Sequence, residues 1–347
     1  MIEIDFPLQQ IENLLKKAKL SADILSIKNC GKGGNNRTYC LETADGLFAV
    51  KKYFREPADK RDRLASEFSF LLYAKQVAPD FVPTPYAQNA ETGMALYEFI
   101  QGESFEAGNI TENELSQAIQ FFCAINEAGI KEKALHLSLA SEAGFSVKDH
   151  LDSVGARIQQ LQQAIASEKQ HDAHAFMSDL NHYWQSLVKQ CEKTAALYNL
   201  NIATTLDRAQ HCLSPSDFGF HNALKMHNQR VRFLDFEYAG WDDPARMVND
   251  FFAQLAVPIP HHYYDWFVRE VMQVFPQPDL LIQRANILKT VYQVKWCCIA
   301  MNVFIPVHMA RRQFANPHLN MSEVRQTQLA KAELLLKTLE VSHYGLY

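Results

Sequence analysis

The apolar positions change period along the chain, and the change divides it in two. Ile11, Leu14, Leu15 and Ala18 recur at helical spacing and predict an opening amphipathic helix. A glycine-rich turn, Cys30-Gly31-Lys32-Gly33-Gly34, then runs into Asn36-Arg37-Thr38-Tyr39-Cys40-Leu41-Glu42, a stretch of good strand propensity. Asp45-Gly46 marks a hairpin, and Leu47 to Phe54 is its returning strand. Residues 59–77 read as a helix with Leu64, Phe68, Leu71 and Leu72 on one face, and Pro79, Pro83 and Pro85 follow as a loop. Met94 to Ile100 is a short apolar strand before Gly102. Beyond it helical periodicity dominates, around 112–127, 147–167, 173–198, 284–300 and 322–340. Leu151, Val154, Ile158, Leu161 and Ile165 show it by stepping in threes and fours. The pattern predicts an α+β fold: a sheet-rich N-terminal lobe over 1–100, a connector near 98–103 and a helical C-terminal lobe over 101–347.

Composition narrows the class. Of 347 residues, 48% are hydrophobic and 21% charged, enough to bury a sizeable core. A formal net charge of −5 argues against nucleic acid or an anionic membrane as partner. The seven cysteines are scattered, with no C-x-x-C pair, so neither a disulfide framework nor a zinc module is expected. The first ten residues lack a basic-then-apolar signal pattern, and the most apolar run, Trp296 to Val307, is too short to span a bilayer. A soluble cytoplasmic protein is expected.

Inside the helical part lies a polar island, Ser214-Pro215-Ser216-Asp217-Phe218-Gly219-Phe220-His221-Asn222, followed by Val231-Arg232-Phe233-Leu234-Asp235-Phe236-Glu237. Asp235 follows two apolar residues, which places its carboxylate at a strand end against the core. A carboxylate buried there is costly unless it is paired or binds a metal. Phosphoryl transfer from ATP needs a loop poor in side chains, a lysine and its partner acid, an acid facing the acceptor hydroxyl, and an Asn and a second Asp for Mg²⁺. The chain offers Gly33 and Gly34, Lys51, Glu67, Asp217, Asn222 and Asp235 in that order. Lys52 rivals Lys51, since strand neighbours face opposite ways; Lys51 is favoured by its place after Phe48-Ala49-Val50.

These motifs resemble the aminoglycoside phosphotransferase and choline kinase family, which has a two-lobed protein-kinase-like fold. The likeness runs from about residue 28 to 254. Its specific parts are Asp217 with Asn222 five positions on, and Asp235-Phe236-Glu237-Tyr238-Ala239-Gly240 leading to Asp243-Pro244-Ala245. The resemblance implies ATP and Mg²⁺ as cofactors and a small-molecule hydroxyl as acceptor. It implies a nucleotide loop at Gly33, Gly34 and Asn36, and adenine on the backbone from Glu98 to Ile100. It makes Lys51 the phosphate contact with Glu67 as partner, Asp217 the catalytic base, and Asn222 and Asp235 the metal ligands. Asp250 stands where the family often places an acid facing the acceptor. Trp241 belongs to a set of aromatics that could hold an amine by cation–π attraction. One departure stands out: the family usually has His two residues before the catalytic Asp, where this chain has Pro215. That departure keeps a nucleotide-binding pseudokinase as the main alternative. A metal-dependent hydrolase built on Asp217, His221 and Asp235 ranks last, because it leaves Lys51 and the glycine turn without a role. In the kinase reading His221 is given none.

Overall fold

The structure is a computed structural model that describes residues 6–31, 36–55, 61–166 and 171–344. The chain opens with α1 (Leu8–Lys17), whose Ile11, Leu14 and Leu15 are buried. A five-stranded antiparallel sheet follows, built from β1 (Ile24–Asn29), β2 (Arg37–Thr43), β3 (Gly46–Lys52), β4 (Pro85–Asn89) and β5 (Met94–Glu98), in the order β1-β2-β3-β5-β4. The Asp45-Gly46 turn sets the β2–β3 register, pairing Thr43 with Gly46 and Thr38 with Lys51. One face of the sheet packs on α1 through Tyr39, Leu41, Val50, Met94 and Leu96, which form a small separate core. The other face receives α2 (Arg63–Val77) and joins the main core through Tyr53, Phe68, Ala95 and Tyr97.

The rest of the chain is mostly helical. It carries α3 (Glu112–Asn126), α4 (Val147–Ile165), α5 (His171–Leu197), α6 (Pro244–Ala253), α7 (Tyr264–Met272), α8 (Pro278–Met301), α9 (Pro306–Ala315) and α10 (Met321–Tyr344). Two small sheets are set among them. The first joins β6 (Glu103–Ser104), β8 (Ala223–Lys225) and β9 (Val231–Phe233); the second joins β7 (Cys212–Ser214) and β10 (Gly240–Asp242). Among the described residues no single helix is long and apolar enough to cross a membrane.

Three readings of the sequence need correction. β4 lies in the stretch read as loop; it begins at Pro85 on the sheet edge, where a missing donor breaks no ladder. Leu72 is 47% exposed, because α2 buries its 63, 64, 67, 68, 70, 71, 73 and 74 positions, leaving Leu72 outside that arc. Trp241 is core, 7% exposed, with its Nε1 donating to the Ala134 carbonyl at 3.1 Å.

The two lobes also meet at a contact away from the connector. Arg37, opening β2, donates through Nε to the Phe314 carbonyl at 2.7 Å and lies over the Phe314 ring, while Phe54 meets that ring edge-on. α9 thus grips the strand that leaves the glycine turn.

Candidate functional site

Strand alternation turns Lys51 inward and Lys52 outward, onto the Phe6 ring. Lys51 meets Glu67 of α2 at 2.6 Å and Asp235 of the opposite lobe at 2.5 Å. Burial pulls the Lys51 ammonium down, but Asp235, Glu67 and Glu237 more than reverse this and hold it well above its ordinary range. Glu67 also accepts from the Tyr53 hydroxyl at 2.6 Å, which in turn meets the Tyr97 hydroxyl at 2.7 Å. The lysine is therefore fixed from both lobes.

Asp235 lies two residues beyond β9 with φ +63, a left-handed backbone that turns its side chain back to the lysine. That side chain is 31% exposed, so it reaches the cleft between the lobes. Burial pushes its carboxyl up to about 7, aided by Glu237 and Glu67 and opposed by Lys51. Glu237 is fully buried; it accepts from Asn36 Nδ2 at 2.8 Å and pairs with Arg63 at 3.2 Å. Asn36 also accepts from the Phe54 backbone N–H at 3.1 Å, tying β2's approach to the end of β3. Gly33 and Gly34 lie outside the described residues.

The second acid, Asp217, follows a turn held by Ser214, whose hydroxyl accepts from the Ser216 N–H at 3.0 Å. Ser216 has φ +68, a left-handed conformation that costs a non-glycine residue about 1–3 kcal/mol and aims the next side chain out of the core. Asn222 Nδ2 reaches the Asp217 carbonyl at 2.9 Å and its carboxylate at 3.2 Å. His221 Nε2 meets the other carboxylate oxygen at 3.1 Å. Burial raises the Asp217 carboxyl, but hydrogen bonds from His221 and Asn222, with the charges of His221 and Lys295, hold it below the usual range. The Leu234 N–H donates to the Asn222 carbonyl at 2.8 Å, which joins the two acid-bearing segments. Aromatic packing supports both: Phe218 packs on Phe233 and stacks on Phe251, and Phe236 stacks on Phe70 of α2.

The turn after Asp235 is equally fixed. Asp243 caps α6 by accepting from the Ala245 N–H, and is gripped by Arg284 and by His150 at 3.1 Å. Burial raises its carboxyl, and those two partners outweigh that and hold it well below the usual range. Asp250 is buried and taken: Lys295 meets its two oxygens at 3.0 and 2.7 Å, and Trp296 Nε1 donates at 3.0 Å. Neither Asp250 nor Trp241 is free to receive an acceptor in this arrangement. Glu98 turns its side chain to Thr84 and Arg232, while its backbone stays in β5 at the connector with Ile100 two residues on.

The donor set suits a magnesium ion. Three acids, Asp235, Glu237 and Glu67, lie around two cations, Lys51 and Arg63, and Asn222 stands on the neighbouring loop, its backbone carbonyl accepting from the Leu234 N–H next to Asp235. Mg²⁺ is ordinarily held by one or two protein side chains plus phosphates and water. Among the described residues no three His, Cys, Asp or Glu side chains form a metal cage.

A sheet-borne lysine held by a helix acid, facing two acids on an aromatic-packed wall, defines a protein-kinase-like phosphotransferase fold. Comparison bears this out. A model of the phosphotransferase enzyme family matches residues 26–251. No curated protein matches. Among solved structures, choline kinase from Cryptosporidium parvum Iowa II superposes with a TM-score of 0.59 at 11% identity, covering 98% of this chain and 97% of that one. Plasmodium vivax ethanolamine kinase gives 0.55 at 12%, covering 98% and 97%. The streptomycin-ATP-APH(2″)-IIa ternary complex gives 0.52 at 15%, covering 96% and 99%. The chain belongs to the phosphotransferase enzyme family and is, by that membership, a small-molecule kinase.

The structure brings Glu67 and Asp235 to the same Lys51 ammonium, and it joins Asp217 to Asn222. The reading from sequence missed Glu237, its partner Arg63, and His221. Glu237 could have been suspected, since it lies two residues beyond Asp235 in an apolar context.

Proposed function

We propose that the protein transfers the γ-phosphate of ATP to a hydroxyl of a small molecule. The observation that carries this reading is the Lys51 bridge, with an acid from each lobe within 2.6 Å of one ammonium. Lys51 neutralises phosphate charge, and Glu67 keeps it extended toward the cleft. Backbone at Gly33, Gly34 and Asn36 cradles phosphate oxygens, and the backbone from Glu98 to Ile100 meets adenine. Asp217 orients the acceptor hydroxyl and takes its proton as the phosphoryl group arrives. Asn222 and Asp235 would hold Mg²⁺, which would supply charge neutralisation on the phosphates. The barrier falls mainly through positioning and electrostatics. The similar structures include a choline kinase, an ethanolamine kinase and a complex with streptomycin and ATP, so amino alcohols and aminoglycosides are the first acceptors to test. All seven cysteines are free, which fits work in a reducing cytoplasm.

Asp217→Ala is expected to lower turnover of Mg-ATP by roughly 10²–10⁴. Unchanged turnover removes Asp217 from the mechanism. Asp235→Ala is expected to abolish Mg²⁺-dependent ATP binding in a calorimetric titration. Pro215, in place of a histidine, favours one rival, a protein that binds nucleotide without transfer; binding of ATP with no phosphate transfer to water or any acceptor would support it.

A further inference from the structure

We propose that His221 is the positioning residue for Asp217, holding its carboxylate from the C-terminal side of the loop. The inference rests on the reading of Asp217 as the acceptor-facing base. Its ground is geometric. Phe220–Asn222 is a tight turn just after Asp217. It brings two consecutive side chains back onto the carboxylate, one to each oxygen: His221 Nε2 at 3.1 Å on Oδ1 and Asn222 Nδ2 at 3.2 Å on Oδ2. With the carboxylate as acceptor, Nε2 carries the proton and donates. Two donors fix the plane of the carboxylate, and each oxygen keeps a lone pair for an incoming hydroxyl.

The loop is built to admit the ring. Gly219 has φ 167, extended backbone open to any residue, so conformational freedom does not explain a glycine there. Space does: a Cβ at 219 would lie 2.7 Å from His221 Nδ1 and 2.8 Å from Cε1. On the far side of that space is Gln254, whose Cγ would be 3.4 Å away. The imidazole fits where it reaches Asp217 because residue 219 has no side chain. His221 is only 17% exposed, so its position is held by packing.

The test uses the full chain with Mg-ATP and follows phosphate release, water serving as acceptor. His221→Ala is expected to lower kcat about 10–100-fold, the usual effect of losing a group that orients a reacting one, with KM for ATP within about twofold. His221→Gln, whose amide nitrogen falls near the Nε2 position, should recover most of kcat, and His221→Phe should not. Gly219→Ala should match His221→Ala and add nothing in its background, since both act through the same ring. If His221→Ala does not fold, the Gln and Phe variants decide. Equal kcat in those two, or wild-type kcat in His221→Ala while Asp217→Ala is inactive, overturns this inference alone. No phosphate transfer by the wild type to water or to any amino alcohol or aminoglycoside offered, or normal release by Asp217→Ala, overturns the phosphotransfer reading with it.

Discussion

Glutamine at position 67 would keep the shape of Glu67 and remove its charge. Glu67 is 3% exposed and accepts from both Lys51 and Tyr53 at 2.6 Å. At an effective dielectric of 20, unit charges at that distance attract by about 6 kcal/mol before desolvation is counted. Removing one partner of a buried pair ordinarily costs about 3–5 kcal/mol, because the other charge is stranded. Here Lys51 keeps Asp235 at 2.5 Å, so it is not stranded, and the expected loss is about 2–3 kcal/mol. In a chain of this size that lowers the melting temperature by roughly 3–4 °C. Lys51 then leans toward Asp235, and KM for ATP should rise about tenfold, as for loss of one charge-assisted contact. Tyr53→Phe is the control: it keeps the ion pair, loses one neutral donor, and should cost about 1 kcal/mol with little change in KM. Urea and thermal melts read the first quantity and steady-state kinetics the second. A Glu67→Gln protein that melts within about 1 °C of wild type and binds ATP equally well would refute the claim that this pair holds the lysine.

Three further outcomes follow from other contacts. Gly240→Ala places a Cβ 2.4 Å from the Ser138 carbonyl oxygen and 2.6 Å from Ala140 N, backbone that cannot rotate away; urea melts should show a loss of about 3 kcal/mol or more, and near-wild-type stability would contradict the close approach of 138–140 to β10. Lys295→Met leaves Asp250 with Arg246 at 3.4 Å and the Trp296 indole at 3.0 Å, so it should cost about 1–3 kcal/mol, whereas the double variant with Asp250→Leu should regain part of it; a double variant that melts lower than Lys295→Met would count against the pairing. His308 is pushed down to about 4 by burial and by Arg311, Arg157, Arg63 and Arg312. Its folded pKa lies below the unfolded value, so its contribution is present above about pH 6.5 and lost as pH falls toward 4, leaving wild type about 1–2 kcal/mol worse off relative to His308→Gln at the acid end. A wild-type-minus-variant difference that stays flat over that range would refute it.

Local chemistry made part of the site readable. Asp45-Gly46 sets the hairpin, strand alternation then orients Lys51, and Asp217 to Asn222 is a short loop whose spacing survives folding intact. What sequence did not show depends on distant partners. Asn36 and Glu237 are 201 positions apart, and Lys295 reaches Asp250 across 45. An acid met in isolation looks available, and only its partner shows that Asp250 is not. Trp241 misled for a similar reason: an aromatic beside a catalytic segment looks like a binding wall until its indole donates to Ala134 inside the core. His221 was passed over because the family places its histidine elsewhere, and a ring four residues after Asp217 reaches it only if the loop turns at Phe220.

The clasp between Arg37 and Phe314 has a mechanical consequence. The strand leaving the glycine turn is anchored to a helix more than 250 residues further along, as well as to its own sheet neighbours. A tilt of the sheet toward the helical lobe must either carry α9 with it or break the Arg37 hydrogen bond and the ring contacts. α9 follows directly on α8, which carries Lys295 and Trp296. The strand is therefore tied, through α9 and the short turn before it, to the helix whose Lys295 holds Asp250.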